Sequence, residues 1–317
     1  MPIPDDERKR YSNFFLQLTQ DLGSMAIQQG AIPWQDTVLW HYTNGRALIG
    51  IIDSMSIFST HISCLSDTSE LRYASMLFQK ALADLRQTIG GDETTLEFLD
   101  VALNYFKENP DFPAQAVVPY FVTCFSDEKD DLSQWRAYAG GENGYAIGFK
   151  ARDLMGCKNC MLARINYDGN LHRELAQKAA AATVKFFHEG IKKYAPVDKT
   201  KWSGEFFEAW EPAITMAAPL VKDPAFAKES ECRIVKGFHN EIDQLKFIQK
   251  GSLMSRHLPI QPGVGTASGS YRLPIAEVMV GPCRHPQISR TSIDTLLRQK
   301  GYETGLVSIS KIPFQIT

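Results

Sequence analysis

Three short stretches of the 317-residue chain hold side chains whose types and spacing could do chemistry. In Leu39-Trp40-His41-Tyr42-Thr43-Asn44-Gly45 a strand-forming run delivers an imidazole, a phenol and a hydroxyl into a turn. A neutral imidazole donates and accepts at once, which suits a ribose hydroxyl or an amide. The same histidine would also serve as a half-buried residue satisfied by its neighbours. The second stretch runs from Phe121 through Cys124-Phe125-Ser126-Asp127 and Gln134-Trp135-Arg136-Ala137-Tyr138 to Gly144-Tyr145-Ala146-Ile147-Gly148-Phe149. Flat rings of Trp135, Tyr138 and Tyr145 beside the Ser126 hydroxyl and Arg136 would wall a planar heterocycle. Alternatively Trp135 and Tyr138, three apart, form the apolar side of a short helix. The third stretch is Lys228-Glu229-Ser230-Glu231-Cys232-Arg233-Ile234-Val235, where strand periodicity would put Glu229 and Glu231 on one face. Two carboxylates held together raise at least one pKa or attract a cation; an ordinary exposed strand face with Lys228 and Arg233 as partners fits the same residues.

Weaker signals surround these. Cys157-Lys158-Asn159-Cys160 is a lone C-x-x-C with no second pair, and His172 stands on an expected helix, so no metal is assigned. No Gly-x-Ser-x-Gly elbow supports Ser126 as a hydrolase nucleophile. His61, His188, His239, His257 and His285 lack ligand spacing and read as surface or core residues.

Helices and strands must position these groups. Apolar spacing predicts helices over Tyr11–Leu22, Leu71–Leu85, Leu96–Phe106 and Leu171–Tyr194, with another around Phe206, Phe207 and Trp210. Asp67 with Glu70 three positions on reads as the N-terminal cap of the second. Strands are expected at Thr37–Thr43, Val117–Phe125, Tyr145–Phe149, Met161–Tyr167, Glu231–Lys236, Ile275–Val280 and Leu306–Ile309. The order does not alternate as a doubly wound sheet would, and no Gly-x-Gly-x-x-Gly turn is present. The reading is therefore one α+β domain over residues 1–317, with an N-terminal helix at 5–30 and a helical insertion at about 171–224. Gln261–Ser270, rich in Gly, Ser and Pro, reads as a surface loop.

Composition sets outer limits. Hydrophobic residues make up 44% and charged residues 22%, which suits a globular core rather than disorder. The net charge of −2 supplies no global basic field for a nucleic-acid backbone. No apolar run approaches membrane-spanning length, and six irregularly spaced cysteines point to reduced thiols, so a cytoplasmic protein with no membrane partner is expected. The N-terminal helix is expected to pack on the outside of the domain, with its apolar face making a homodimer as the alternative.

Taken in order, His41-Tyr42-Thr43, Ser66-Asp67-Thr68-Ser69-Glu70, Cys124-Phe125-Ser126, Trp135 to Ala139, Gly144 to Phe149 and Glu229 to Ile234 resemble an uncharacterised bacterial domain family. Its pattern reads H-Y-T, N-D-x-x-E, C-F-S, W-x-x-Y-A, G-x-x-I-x-F and E-x-E-x-R-I; Ser66 stands where the family more often has Asn. That family in turn is similar to ADP-ribosyltransferases, which implies a split β-sandwich with a cleft for NAD. On that resemblance His41 and Thr43 would meet the NAD riboses, with the Tyr42 backbone at the carboxamide. Ser126 with Trp135, Tyr138 or Tyr145 would sit against nicotinamide. Glu231 would face the ribosyl carbon, where cleavage of the glycosidic bond builds oxocarbenium-like charge. Glu229 would position or deprotonate the acceptor.

The implied activity is NAD-dependent ADP-ribosyl transfer to an unknown macromolecular acceptor, protein or nucleic acid, or NAD hydrolysis when water takes its place. A toxin or phage-defence role would follow. The alternatives are a non-catalytic nucleotide- or partner-binding module on the same fold and, third, a metal-dependent or serine hydrolase. His41 and Glu231 would have to converge on one hollow.

Overall fold

A computed structural model describes residues 4–7, 9–10, 13–14, 17, 37–65, 69–90, 93–108, 120–139, 144–157, 159–194, 202, 218–237, 241–263 and 271–313. In chain order these form β1 (Val38–Asn44), α1 (Gly45–Ser54), β2 (Ile57–His61), α2 (Ser69–Thr88), α3 (Glu93–Glu108), β3 (Tyr120–Ser126), α4 (Leu132–Tyr138) and β4 (Gly144–Lys150). There follow α5 (Ala151–Met155), β5 (Cys160–Arg164), α6 (Gly169–Tyr194), β6 (Glu231–Gly237), β7 (Lys246–Lys250), β8 (Leu253–Ile260), β9 (Ile275–Val280), α7 (Pro286–Gln299) and β10 (Val307–Ile309). The fold is mixed α and β around a ten-stranded, mostly antiparallel sheet.

The chain divides into two compact units. One comprises Met1–Gly30, Leu65–Val118 and Asn166–Phe226; the other comprises Ala31–Cys64, Pro119–Ile165 and Ala227–Thr317.

The second unit holds the sheet, in the order β10-β9-β4-β1-β3-β2-β8-β7 with β6 on β3 and β5 on β6. Strand β3 is a fork. One edge pairs with β6 from Tyr120↔Gly237 to Ser126↔Glu231. The other is shared, β2 taking Phe121 and Val122 and β1 taking only Ser126, through Trp40. Strand β1 is β-branched and aromatic, as strands prefer, and Asn44 both ends it and starts α1, its Oδ1 accepting from the Ala47 N–H at 2.9 Å. Leu48, Ile51 and Ile52 then fall on one helical face and are buried. At roughly 1.5–3 kcal/mol for each fully buried aliphatic side chain, that face outweighs the cap in fixing α1. It packs with Leu39, Phe125, Ile147, Phe149, Cys232, Ile234, Val278 and Leu297 in the main core of this unit. A smaller cluster of Trp40, Tyr42, Trp135, Ala146 and Met279 lies apart from it.

The first unit is helical. Phe78 and Leu82 of α2, Phe98, Leu99 and Phe106 of α3, and Ala180 and Phe187 of α6 are buried with Trp202. Phe98 stacks on Phe187 with centroids 3.9 Å apart. Phe14 stacks on Phe186 at 4.6 Å and Arg10 lies over the same ring, so the described part of the N-terminal helix presents these residues to α6.

Several expectations need adjustment. The fifth strand is Cys160–Arg164, not Met161–Tyr167, since beyond Arg164 only an isolated bridge, Asn166↔Val221, continues. Strands β2, β7 and β8 and helices α5 and α7 were not among the expected elements, and α4 is the short helix of the Trp135–Tyr138 alternative. Ser66–Thr68, with the Asp67 cap, the helix around Phe206–Trp210, most of 5–30 and residues 264–270 lie outside the described residues. Among the described residues no helix is long and apolar enough to cross a membrane.

Candidate functional site

The three chemical stretches meet where β1 touches β3. Directly paired residues of an antiparallel ladder share a face, and neighbours along a strand alternate. The pairs Trp40↔Ser126 and Ser126↔Glu231 therefore put Trp40, Tyr42, Ser126, Glu231 and Arg233 on one face. His41 and Thr43 leave β1 from the other, where Thr43 is paired with Tyr145. The expected convergence of His41 and Glu231 on one hollow is not met, because an odd step along β1 separates His41 from the residue in register with Ser126.

His41 Nδ1 lies 2.9 Å from the Cys124 carbonyl oxygen. A carbonyl only accepts, so Nδ1 carries the proton and Nε2 is left as an acceptor. Burial lowers the His41 pKa, against the opposing effect of that bond, and the ring is neutral at pH 7. Its bond satisfies a β3 carbonyl on the edge where β1 and β2 part. The ring also tilts against Phe125 at 5.7 Å.

The opposite face carries a closed network. The Tyr42 hydroxyl donates to the Glu128 carbonyl at 2.6 Å and accepts from the Asp131 N–H at 3.2 Å. Burial, with Asp131, Asp130 and Glu128 nearby, pushes its pKa well above the usual phenol value. The Ser126 hydroxyl donates to the Glu229 carbonyl at 2.9 Å and accepts from the Glu128 N–H at 3.2 Å. Gln134 Nε2 donates to the same Glu229 carbonyl at 3.4 Å. Asp131 caps α4, its Oδ1 accepting from the Gln134 N–H at 3.0 Å.

Trp135 is only 1% exposed. Its indole N–H donates to Asp130 at 2.8 Å, and its ring meets Tyr42 edge-on at 4.6 Å. Its six-membered ring also lies where Cβ atoms at Gly144 and Gly281 would sit. An open stacking plate is thus not what Trp135 provides; it is core, as the helix-side alternative held. Tyr138, one turn further along α4, is 41% exposed. Tyr145 is half-buried against the main core on the His41 face.

Glu231 and Arg233 form the charged centre. Arg233 Nε reaches Glu231 Oε1 at 2.7 Å and Nη2 reaches Oε2 at 2.9 Å, with both side chains almost wholly buried. This bidentate geometry fixes both planes. Glu229 does not share the strand. It ends a 3-10 turn, Pro224–Glu229, and Ser230 takes a left-handed φ of 45°, so the alternation that would align the two carboxylates starts only at Glu231. Glu229 enters the network through its carbonyl.

Sequence reasoning missed the β3–α4 loop that ties these groups, although Asp131-Leu132-Ser133-Gln134 has the spacing of a capping box. It gave no role to Asp127, which pairs with Arg164 and accepts from the Cys232 thiol at 3.7 Å. Burial, reinforced by Asp127, pushes that thiol up to about 12. Among the described residues no group of three or more His, Cys, Asp or Glu is gathered to hold a metal ion.

Residues 134–234 match a domain family described as a protein of unknown function, DUF2971. The match covers the Trp135, Gly144–Phe149 and Glu229–Ile234 motifs but not His41-Tyr42-Thr43 or Cys124-Phe125-Ser126. No curated protein and no solved structure matches the chain, and nothing in these comparisons links it to ADP-ribosyltransferases.

Proposed function

We propose that the chain consumes NAD, as an ADP-ribosyltransferase toward a macromolecular acceptor or as an NAD glycohydrolase, on a split β-sandwich. One observation carries the reading: the Ser126↔Glu231 register pair stands beside the Trp40↔Ser126 ladder pair of β1 with β3, so a carboxylate, a hydroxyl and the H-Y-T strand meet at the fork of the sheet. Glu231 is the carboxylate that faces the ribosyl carbon as positive charge develops there. Arg233 fixes its orientation through two bonds. Tyr138, exposed on α4, takes the nicotinamide face in place of the buried Trp135. His41 leaves β1 on the other face of the sheet, where it holds β1 to β3 through the Cys124 carbonyl. A metal plays no part in this scheme.

The test is nicotinamide release from NAD by the purified protein, alongside NAD binding by calorimetry. Wild type should release nicotinamide, Glu231→Gln should abolish release, and Tyr138→Ala should raise KM with a smaller effect on kcat. Release that survives Glu231→Gln would overturn the assignment.

A second reading, a non-catalytic nucleotide- or partner-binding module, draws on the Glu231–Arg233 pair itself. Both carboxylate oxygens are bonded in a nearly closed environment, which is how a structural ion pair is built. NAD binding with no nicotinamide release would favour it.

A further inference from the structure

We propose that Cys157 and Cys160 are a redox-active dithiol that closes to an intramolecular disulfide by exchange with a small-molecule disulfide. This site is independent of the NAD reading. The two residues flank a turn between α5 and β5, in which the Cys160 N–H donates to the Cys157 carbonyl at 3.3 Å. A turn closed by such a bond holds its end Cα atoms within about 7 Å, close to the 4.4–6.8 Å that disulfides usually span. Asn159 supplies the bend with a left-handed φ of 56°, a conformation Asn tolerates better than most residues. Both side chains turn toward the same apolar cluster, Cys157 within it and Cys160 packed against it.

The pair is chemically asymmetric. The Cys160 thiol donates to the Cys157 sulfur, and with the Lys236 charge this brings the Cys157 pKa below the usual thiol value in spite of burial. The same bond, burial and the charge of Cys157 push Cys160 up. Lys236 is the register partner of Cys160 on β6, held by Glu241 at 3.3 Å. One thiol is thus prepared as nucleophile and its neighbour as the resolving group. Strand β5 pairs only with β6 among the described strands, so the turn sits at a sheet edge, with Cys157 buried and Cys160 half-buried.

The exchange balances. The Cys157 thiolate attacks one sulfur of RSSR and displaces RS⁻. Cys160 gives up its proton and attacks the Cys157 sulfur, displacing the second RS⁻. Two protein thiols lose two electrons and two protons, and RSSR becomes two RSH.

The full-length protein is equilibrated in mixtures of glutathione and glutathione disulfide, quenched with acid, alkylated and mapped by peptide mass. The expected product links Cys157 to Cys160, and its formation constant is at least about tenfold larger in the native protein than in urea, because the fold holds the turn closed. Cys160→Ser should accumulate a glutathione adduct on Cys157, and Cys157→Ser should form one on Cys160 at least about tenfold more slowly. A native constant at or below that in urea overturns the proposal, as does an adduct that forms faster on Cys160. The native-against-urea comparison uses wild type, so it stands even if a variant misfolds.

Discussion

Replacing Arg233 by Met should be among the most damaging single changes in the sheet unit. Its guanidinium is 1% exposed and makes bonds of 2.7 and 2.9 Å to a carboxylate that is itself 6% exposed. Strand β6 is flanked by β3 and β5, so the carboxylate left behind cannot turn out to water without breaking a ladder. Removing one partner of such a pair costs about 3–5 kcal/mol. At about 2–4 °C per kcal/mol for a unit of this size, Tm should fall by roughly 6–20 °C. The orphaned Glu231 would relieve its burial by taking up a proton, which raises its folded pKa above the unfolded value of about 4.3. The variant's deficit relative to wild type should then be smallest below about pH 4 and grow as pH rises. The double variant Glu231→Gln/Arg233→Met removes both charges and should recover most of the loss. Urea unfolding followed by circular dichroism, for wild type, both single variants and the double, measures the coupling. An Arg233→Met protein within about 1 kcal/mol of wild type, or a double variant no better than the single, would refute the reasoning.

Gly281→Ala places a Cβ 2.9 Å from the Gly144 carbonyl oxygen and from the Trp135 ring, so backbone must move; a loss of about 1–3 kcal/mol in urea is expected, and less than about 0.5 would show the site has slack. His257 is buried, and burial with the nearby Lys250 charge lowers its pKa to about 4, below the unfolded value of about 6.5. The unfolded chain binds the extra proton between those limits, so this contribution to stability is full above about pH 6.5 and is lost as pH falls toward 4. His257→Asn should flatten the fall in urea midpoint between pH 7 and 5; parallel profiles would sink the assignment.

Strands with apolar residues at their inward positions were legible: β1, β4, β6 and β9 stand close to where pattern placed them. Strands β2 and β8 were not, because buried positions are polar. Ser59 meets Thr123 hydroxyl to hydroxyl at 2.6 Å, and Ser255 and His257 are buried on β8. An alternation count takes such residues for the solvent side. At the candidate site the Glu231–Arg233 spacing of two was readable as a shared face with Arg233 as a partner, but the face expected to be exposed is buried. The position of Glu229 was not readable, because a single left-handed residue, Ser230, resets the phase of the strand. Trp135 was ambiguous for a different cause. A tryptophan on a short helix looks alike as ligand plate or as core, and only the two glycines that make room for its ring settle which.

The fork at β3 also bears on how the chain is made. Its full-length partner, β6, is encoded about a hundred residues later, so at roughly 5–20 residues per second a ribosome exposes β3 for some 5–20 s before that strand exists. During this interval the bare edge of β3 is a template for any other extended segment. Slowing elongation between codons 127 and 230 should therefore raise the share of aggregated nascent chains, whereas slowing it after codon 237 should not.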